Sequence, residues 1–87
     1  MLEGFLSECI EQKNGELVSA TEFYRYYEWY CDQNGIVKLS STRFGNKLRE
    51  EKGFKKKQLH GRVHYEQIVI KEEIKKAFTH TKVEDKF

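Results

Sequence analysis

The stretch LSSTRFGNKLREEKGFKKKQLHGRVHY, residues 39–65, decides the fold of this chain. Ser40 or Ser41 can cap the first turn of a helix, because a serine oxygen accepts an unpaired backbone N–H there. Phe44 and Leu48 are four positions apart and therefore share one helical face. The stretch thus predicts a helix with an apolar side for a core and a polar side for solvent or a ligand.

A β-hairpin is predicted directly after this helix. Gly53 stands where a left-handed residue ends a helix, which gives the helix the range 41–52. Two runs of strand-forming residues follow, 54–59 and 62–68. His60-Gly61 lies between them as a two-residue turn, and both residue types tolerate the positive φ of a primed turn.

The alternation of a strand assigns the faces of this hairpin. Val63 and Tyr65 are expected to face inward, with Arg62 and His64 outward. Lysines 55–57 are consecutive, so a strand cannot point all three to one side. At least one of them is expected to lie along the sheet edge.

Charge is distributed unevenly along the chain. Residues 1–37 hold two basic and seven acidic side chains, residues 38–65 nine basic and two acidic, and residues 66–87 five of each. The net charge of +2 therefore hides a basic segment that coincides with the predicted helix and hairpin. Such a segment is typical of a protein that binds a polyanion, although a solvated basic face is the alternative.

Two more helices are predicted before this stretch. Apolar residues at 2, 5, 6, 9 and 10 follow one helical face and predict helix one over residues 2–13, ended by Asn14-Gly15. Leu17-Val18 is predicted to be a short extended segment that can add a third strand to the hairpin. Ser19 to Glu22 fits a capping box, and helix two runs to about Gln33 before Asn34-Gly35. Its core residues are Phe23, Tyr27 and Tyr30, flanked by Tyr24 and Cys31.

After the hairpin, residues 68–70 complete a strand, and Lys71 to Thr79 can form a small amphipathic helix. Residues 81–87 are charged and are expected to be frayed. We therefore predict one folded domain over residues 1–70, followed by a C-terminal helix and tail over residues 71–87.

The sequence offers little for catalysis, and we predict a protein that is not an enzyme. It has no phosphate-binding G-x-x-x-x-G-K-[ST], no G-x-S-x-G and no H-E-x-x-H. Cys9 and Cys31 fall on apolar helical faces and are expected to be buried thiols, and no Cys/His spacing fits a metal. No cofactor and no small-molecule substrate are expected. Without a signal peptide or an apolar run of membrane length, we expect a cytoplasmic protein.

Tyr26 and Trp29 leave two interpretations open. They lie three positions apart and off the predicted core face of helix two. They can pack against the C-terminal helix, or they can form a patch for a protein partner, since exposed Trp and Tyr are common interface anchors.

Most of the chain resembles a known family. It is similar to the C-terminal winged-helix domain that follows the superfamily-three helicase in primase–helicases of phages, plasmids and large DNA viruses. The matching residues are Val18-Ser19, Tyr24, Tyr27, Cys31, Asn34-Gly35, Leu39-Ser40, Phe44-Gly45, Leu48, Gly53-Phe54, Lys55, Lys56, Lys57, Gly61-Arg62 and Tyr65. The resemblance implies DNA binding in replication initiation, beside or within a protein that carries helicase and primase regions.

The expected fold is therefore α+β: a winged helix-turn-helix with a three-helix core, a two- or three-stranded wing and an extra C-terminal helix. The expected function is binding of double-stranded DNA, with helix 41–52 in the major groove. The expected DNA-binding residues are Ser41, Thr42, Arg43, Asn46, Lys47, Arg49, Lys55, Lys56, Lys57, His60 and Arg62. The alternatives are a protein-interaction module and a binder of RNA or single strands.

Overall fold

A computed structural model describes residues 2–85, with side chains for residues 2–80. The described part is a mixed α+β domain of four helices and a three-stranded antiparallel sheet in the order β1-β3-β2. Along the chain the elements are α1 (Leu2–Cys9), β1 (Ile10–Ser19), α2 (Ala20–Asn34), α3 (Ser41–Lys52), β2 (Lys56–Leu59), β3 (Arg62–Ile70) and α4 (Glu72–Asp85).

The bounds of α2 and α3 confirm the predictions from their capping residues. Ser19 precedes α2 and its Oγ accepts the backbone N–H of Glu22 at 3.1 Å. Gly35 follows the helix in the left-handed region. Ser40 caps α3 in the same way as Ser19 caps α2, and Gly53, at φ +66°, donates its backbone N–H to the Leu48 carbonyl. A serine side chain thus sets the start of each helix, and a left-handed glycine with a backbone hydrogen bond sets its end.

The first helix is shorter than predicted, and the prediction of residues 2–13 is wrong. The helix ends at Cys9, and Ile10 begins a strand that pairs with Ile70 of β3. The Lys71 backbone N–H donates to the Cys9 carbonyl at 2.9 Å, so the last turn of α1 is bound by the end of β3. Pairing across the sheet therefore overrides the helical pattern of residues 10–13.

Asn14-Gly15 lies inside β1 and does not end α1. The β1–β3 register shifts between Gln12 and Leu17, so residues 13–16 bulge opposite Gln67. Gln67 itself has φ +63°. The extended piece at 17–18 does supply the predicted third strand, because Val18 pairs with Tyr65.

The bulge also changes which residues of β3 face the core. Tyr65, Ile68 and Ile70 are buried, so the strict alternation slips at Gln67. Val63 shares the alternation of Tyr65 but is 37% exposed, and its predicted inward position is wrong. It lies in the part of the hairpin that extends past the core.

The core lies where α1, α2 and α3 meet β3. Phe5 contacts Phe23 and Tyr27 with ring centroids 5.7 and 5.5 Å apart, and Phe23 contacts Tyr65 at 5.3 Å. Leu48 is fully buried on α3. The predicted core residues of α2 are confirmed, with Tyr24 partly buried beside them.

The last helix is longer than predicted. It begins at Glu72 and continues to Asp85, so most of the tail that was expected to be frayed is helical, and residues 86–87 lie outside the described part. Phe78 of this helix packs on Tyr26 and Trp29 of α2, with ring centroids 4.5 and 6.1 Å apart. The division of the chain at residue 70 stays a prediction.

Candidate nucleic-acid interface

Helix α3 is held against α2 by its apolar face. Phe44 stacks on Tyr27 with ring centroids 4.4 Å apart and meets Phe23 edge-on at 5.5 Å. Phe44 and Leu48 are both buried, at 2% and 0% exposure. Aromatic packing of this kind fixes the rotation of α3 about its axis, which decides which side chains it presents to solvent.

The connection between α2 and α3 is fixed by two tyrosine hydroxyls. The Tyr27 Oη accepts the backbone N–H of Leu39 at 3.0 Å, and the Tyr24 Oη donates to the Leu39 carbonyl at 2.7 Å. Both backbone polar groups of one residue are thus satisfied by side chains of α2. Leu39 directly precedes the cap residue Ser40, so these bonds position the start of α3.

The polar face of α3 is open to solvent. Of the residues predicted to contact DNA, Ser41, Thr42, Arg43, Lys47 and Arg49 are exposed and Asn46 is partly buried. Ser41 lies on the same side of the helix as Phe44, at its first turn, and the other five lie on the solvent side. The structure therefore brings most of this part of the predicted set onto one surface.

Several of these side chains form ion pairs or hydrogen bonds with other side chains of α3. Lys47 Nζ lies 2.9 Å from a Glu51 carboxylate oxygen, in an exposed pair one helical turn apart. Arg49 donates to the Asn46 side-chain oxygen at 3.2 Å and lies 3.7 Å from the Glu50 carboxylate. Exposed pairs of this kind contribute about 0–1 kcal/mol, so a stronger anion can displace them.

The end of α3 is tied to the N-terminal helix. Lys52 Nζ donates to Glu3 at 3.2 Å. A hydrogen bond from its own backbone, followed by the bond from Lys52, lowers the pKa of Glu3 to about 2. Glu3 therefore stays ionised at neutral pH and compensates Lys52.

The wing consists of β2, β3 and the turn between them. His60 and Gly61 have φ of 51° and 77°, so the predicted primed turn is confirmed. Lysines 55–57, His60 and Arg62 are all exposed. The structure therefore places the remaining predicted residues on the hairpin surface.

Tyr65 joins the wing to α3. Its hydroxyl lies 3.6 Å from the position that a Cβ on Gly45 would occupy, so the end of the Tyr65 side chain reaches the α3 backbone. Burial raises the pKa of Tyr65, and the nearby Arg49 charge acts in the opposite direction. Lys56 Nζ lies 5.9 Å from the centre of the Tyr65 ring. The wing thus contacts α3 through the Tyr65 side chain, which also carries a β2 cation over its ring.

Sequence reasoning missed Arg25. This residue belongs to the acidic N-terminal part of the sequence, so counting charge by segment assigned it to no site. It is exposed on α2 and lines the groove that α2 forms with Ser41, Phe44 and Tyr65. It also lines a second groove with Gly61 and Arg62. Only the packing of α2 between α3 and the wing reveals this position.

Of the two interpretations for Tyr26 and Trp29, the structure shows packing against the C-terminal helix. Tyr26 is 6% exposed and covered by Phe78, while Trp29 is partly buried beside it. The Trp29 Nε1 has no hydrogen-bond partner within the described part of the chain. The face of α2 that binds α4 therefore differs from the face that binds α3.

The cysteines are core residues. Cys9 and Cys31 are free thiols with 1% exposure each. Burial raises the pKa of both, that of Cys9 to about 11. Within residues 2–80, no three His, Cys, Asp or Glu side chains are grouped as metal ligands would be. No helix in the described part is long and apolar enough to span a membrane.

Comparison with known proteins agrees with the replication context that the sequence resemblance implied. No curated protein matches the chain. A family model described as "Poxvirus D5 protein-like", a family linked to primase–helicase replication proteins, matches residues 2–85. Since this match spans nearly all of the 87 residues, the chain belongs to the poxvirus D5 protein-like family.

Proposed function

We propose that this domain is a winged helix that binds double-stranded DNA, without enzymatic activity, as a part of a primase–helicase or beside one. The observation that carries the proposal is the contact that the Tyr65 side chain of the wing makes with α3 at Gly45, beside the exposed cations of both elements. A helix and a hairpin that present cations on one continuous surface suit the curved backbone of a duplex.

Helix α3 is the element that contacts the DNA bases. A helix of 12 residues is about 18 Å long and fits the major groove, which is about 12 Å wide. Arg43, Asn46 and Lys47 project from the first two turns and enter the groove, where Arg and Lys suit guanine and Asn suits adenine. Thr42 and Arg49 lie beside them and contact flanking phosphates.

The wing contributes phosphate contacts. Lys55, Lys57 and Arg62 are exposed and set the hairpin against the backbone or the minor groove. Lys56 lies over Tyr65 and adds charge at the base of the wing. His60, at the tip of the wing, contacts a phosphate when the wing lies against the DNA backbone.

Binding exchanges internal ion pairs for phosphate contacts. The pairs of Lys47 with Glu51 and of Arg49 with Glu50 are about half exposed or more, so they cost little to open. Phosphates of a duplex carry a dense negative charge and compete well for both cations. Membership in a family linked to primase–helicase replication proteins supports duplex DNA as the ligand.

The test is a fluorescence-anisotropy titration with a labelled duplex over a range of salt concentrations. Each phosphate contact is expected to contribute about −0.9 to the slope of log affinity against log salt. The variant Arg43→Ala/Lys47→Ala should bind at least about tenfold more weakly, because it removes two cations of the reading helix. The control variant Lys75→Ala/Lys76→Ala removes the same number of positive charges from α4. It should bind almost as tightly as the wild type does.

Other outcomes contradict the proposal. Equal affinity of the Arg43→Ala/Lys47→Ala variant, in a folded protein, would show that α3 does not contact the duplex. Efficient displacement of the duplex by a single strand would favour single-strand or RNA binding instead. Absence of binding at low salt would turn the search to a protein partner on the Trp29 side of α2.

A further inference from the structure

The surface between α2 and the tip of the wing contains a groove of which the function proposed above uses only Arg62. Its volume is about 730 Å³, and its walls come from the first turns of α2 and from the hairpin turn. Thr21 and Arg25 line one wall, and Gly61 and Arg62 line the other. Two arginines that are 37 positions apart in the sequence thus share one concavity.

These arginines have no ion-pair partner within 4 Å in the described part of the chain. Within residues 2–80, neither Arg25 nor Arg62 forms an ion pair, whereas Lys47, Arg49 and Lys52 of α3 each lie within 4 Å of a carboxylate. An exposed arginine without an acidic partner keeps its full charge for a ligand. Guanidinium groups also bind phosphate oxygens through two hydrogen bonds, which favours a phosphodiester over a smaller anion.

One carboxylate also lines the groove. Glu22 belongs to the same turn of α2, and its backbone N–H is bound to the Ser19 Oγ. Two guanidinium groups and one carboxylate leave a net positive charge. The groove therefore attracts an anion, and the phosphodiester of a nucleic-acid backbone fits this charge.

The groove continues into the α3 surface through Arg25. The same side chain lines the adjoining groove, which holds Ser41 of the first α3 turn and Tyr65 of the wing. A nucleic-acid strand that follows the two grooves from the start of α3 to the wing tip passes Arg25. Its position is intermediate between the two elements that the sequence assigned to DNA.

We propose that this groove is a second backbone-phosphate site, in which Arg25 and Arg62 bind a phosphodiester of the strand that borders α3. The proposal rests on the duplex-binding function proposed above. It adds α2 to the contact surface, so three elements, and not two, contact the backbone. The wing and α2 then supply the two walls of one phosphate site.

The test uses the whole chain, a labelled duplex and three single variants. Arg25→Ala should weaken binding about tenfold at low salt and lower the salt slope by about 0.9, because one phosphate contact is lost. Arg25→Lys should restore the slope and only part of the affinity, since lysine keeps the charge without the paired geometry. Lys76→Ala, the matched loss of one exposed cation on α4, should change neither quantity measurably.

The outcomes separate the two proposals. If the wild type binds with a steep salt dependence and Arg25→Ala binds equally well, the groove is not a phosphate site, while duplex binding stands. If Arg25→Ala and Lys76→Ala weaken binding equally, only net charge matters and the groove proposal is wrong. If the wild type binds no duplex, both proposals fall. Urea denaturation of each variant verifies that exposed substitutions leave the fold intact.

Discussion

Removing the Tyr27 hydroxyl tests whether side chains of α2 fix the start of α3. In the variant Tyr27→Phe, the Leu39 backbone N–H loses the acceptor that lies 3.0 Å away. An unsatisfied buried donor costs about 1–3 kcal/mol. Leu39 is only partly buried, so we expect about 1 kcal/mol, the lower end of that range. For a domain of this size that lowers Tm by about 4–8 °C.

A second substitution, at Tyr24, acts on the other backbone hydrogen bond of Leu39. Tyr24→Phe removes the donor to the Leu39 carbonyl, and we expect a loss of about 0.5–1 kcal/mol, because a partly exposed carbonyl can turn to water. The double variant should lose less than the two single losses together, by about 0.5 kcal/mol, because both hydroxyls hold the same segment. Once one bond is absent, the segment loosens and the other bond contributes less.

The assay is urea denaturation followed by circular dichroism, together with hydrogen exchange at the Leu39 amide. The matched control is Tyr26→Phe on the same helix, whose hydroxyl has no hydrogen bond to any residue in the described part. We expect this control to remain within about 0.5 kcal/mol of the wild type. Wild-type stability of Tyr27→Phe, with unchanged protection of the Leu39 amide, would refute the reasoning.

Three further predictions concern other parts of the fold. Glu51→Gln should tighten duplex binding about two- to threefold at low salt, measured by fluorescence anisotropy, because it frees Lys47 and removes one charge that repels phosphate. Unchanged affinity would show that the Lys47–Glu51 pair does not compete with DNA phosphate for Lys47. Native protein at pH 8 should leave Cys9 and Cys31 unreactive towards Ellman's reagent until urea is added, since burial raises the pKa of both thiols; immediate reaction would contradict their burial. Gly61→Ala should lower stability by about 1 kcal/mol in thermal unfolding, because φ of +77° strains any residue with a Cβ, and an unchanged Tm would contradict the turn.

The elements that could be predicted from sequence are those whose ends are set by neighbouring residues. Ser40 and Gly53 define α3 by local bonds, and His60-Gly61 defines the hairpin by the positive φ that a primed turn needs. In each case the determining interaction lies within five positions along the chain. A single sequence carries that information directly.

The elements that were mispredicted depend on partners far along the chain. Ile10 to Gln12 continue the apolar pattern of α1, yet they pair with residues 68–70 and form a strand. Val63 follows the alternation of Tyr65, but it lies where the hairpin extends past the core, and the register shift at Gln67 moves the later buried positions to 68 and 70. Neither the pairing nor the register shift leaves a local signal. The same holds for Arg25, whose position beside the wing exists only after α2 is packed.

The spatial distribution of charge differs from the one along the sequence, and this difference bears on where a polyanion would bind. The sequence assigns excess positive charge to all of α3, but Glu3 of α1 compensates Lys52 at its end, and Glu51 compensates Lys47. Arg25, from the acidic segment, forms no ion pair within the described part and lies beside the start of α3. The free positive charge is therefore shifted from the end of α3 towards its first turns and the wing tip. Since an exposed cation without a carboxylate partner is the more available to phosphate, we expect the strongest backbone contacts there, with Lys52 at the end of α3 contributing little.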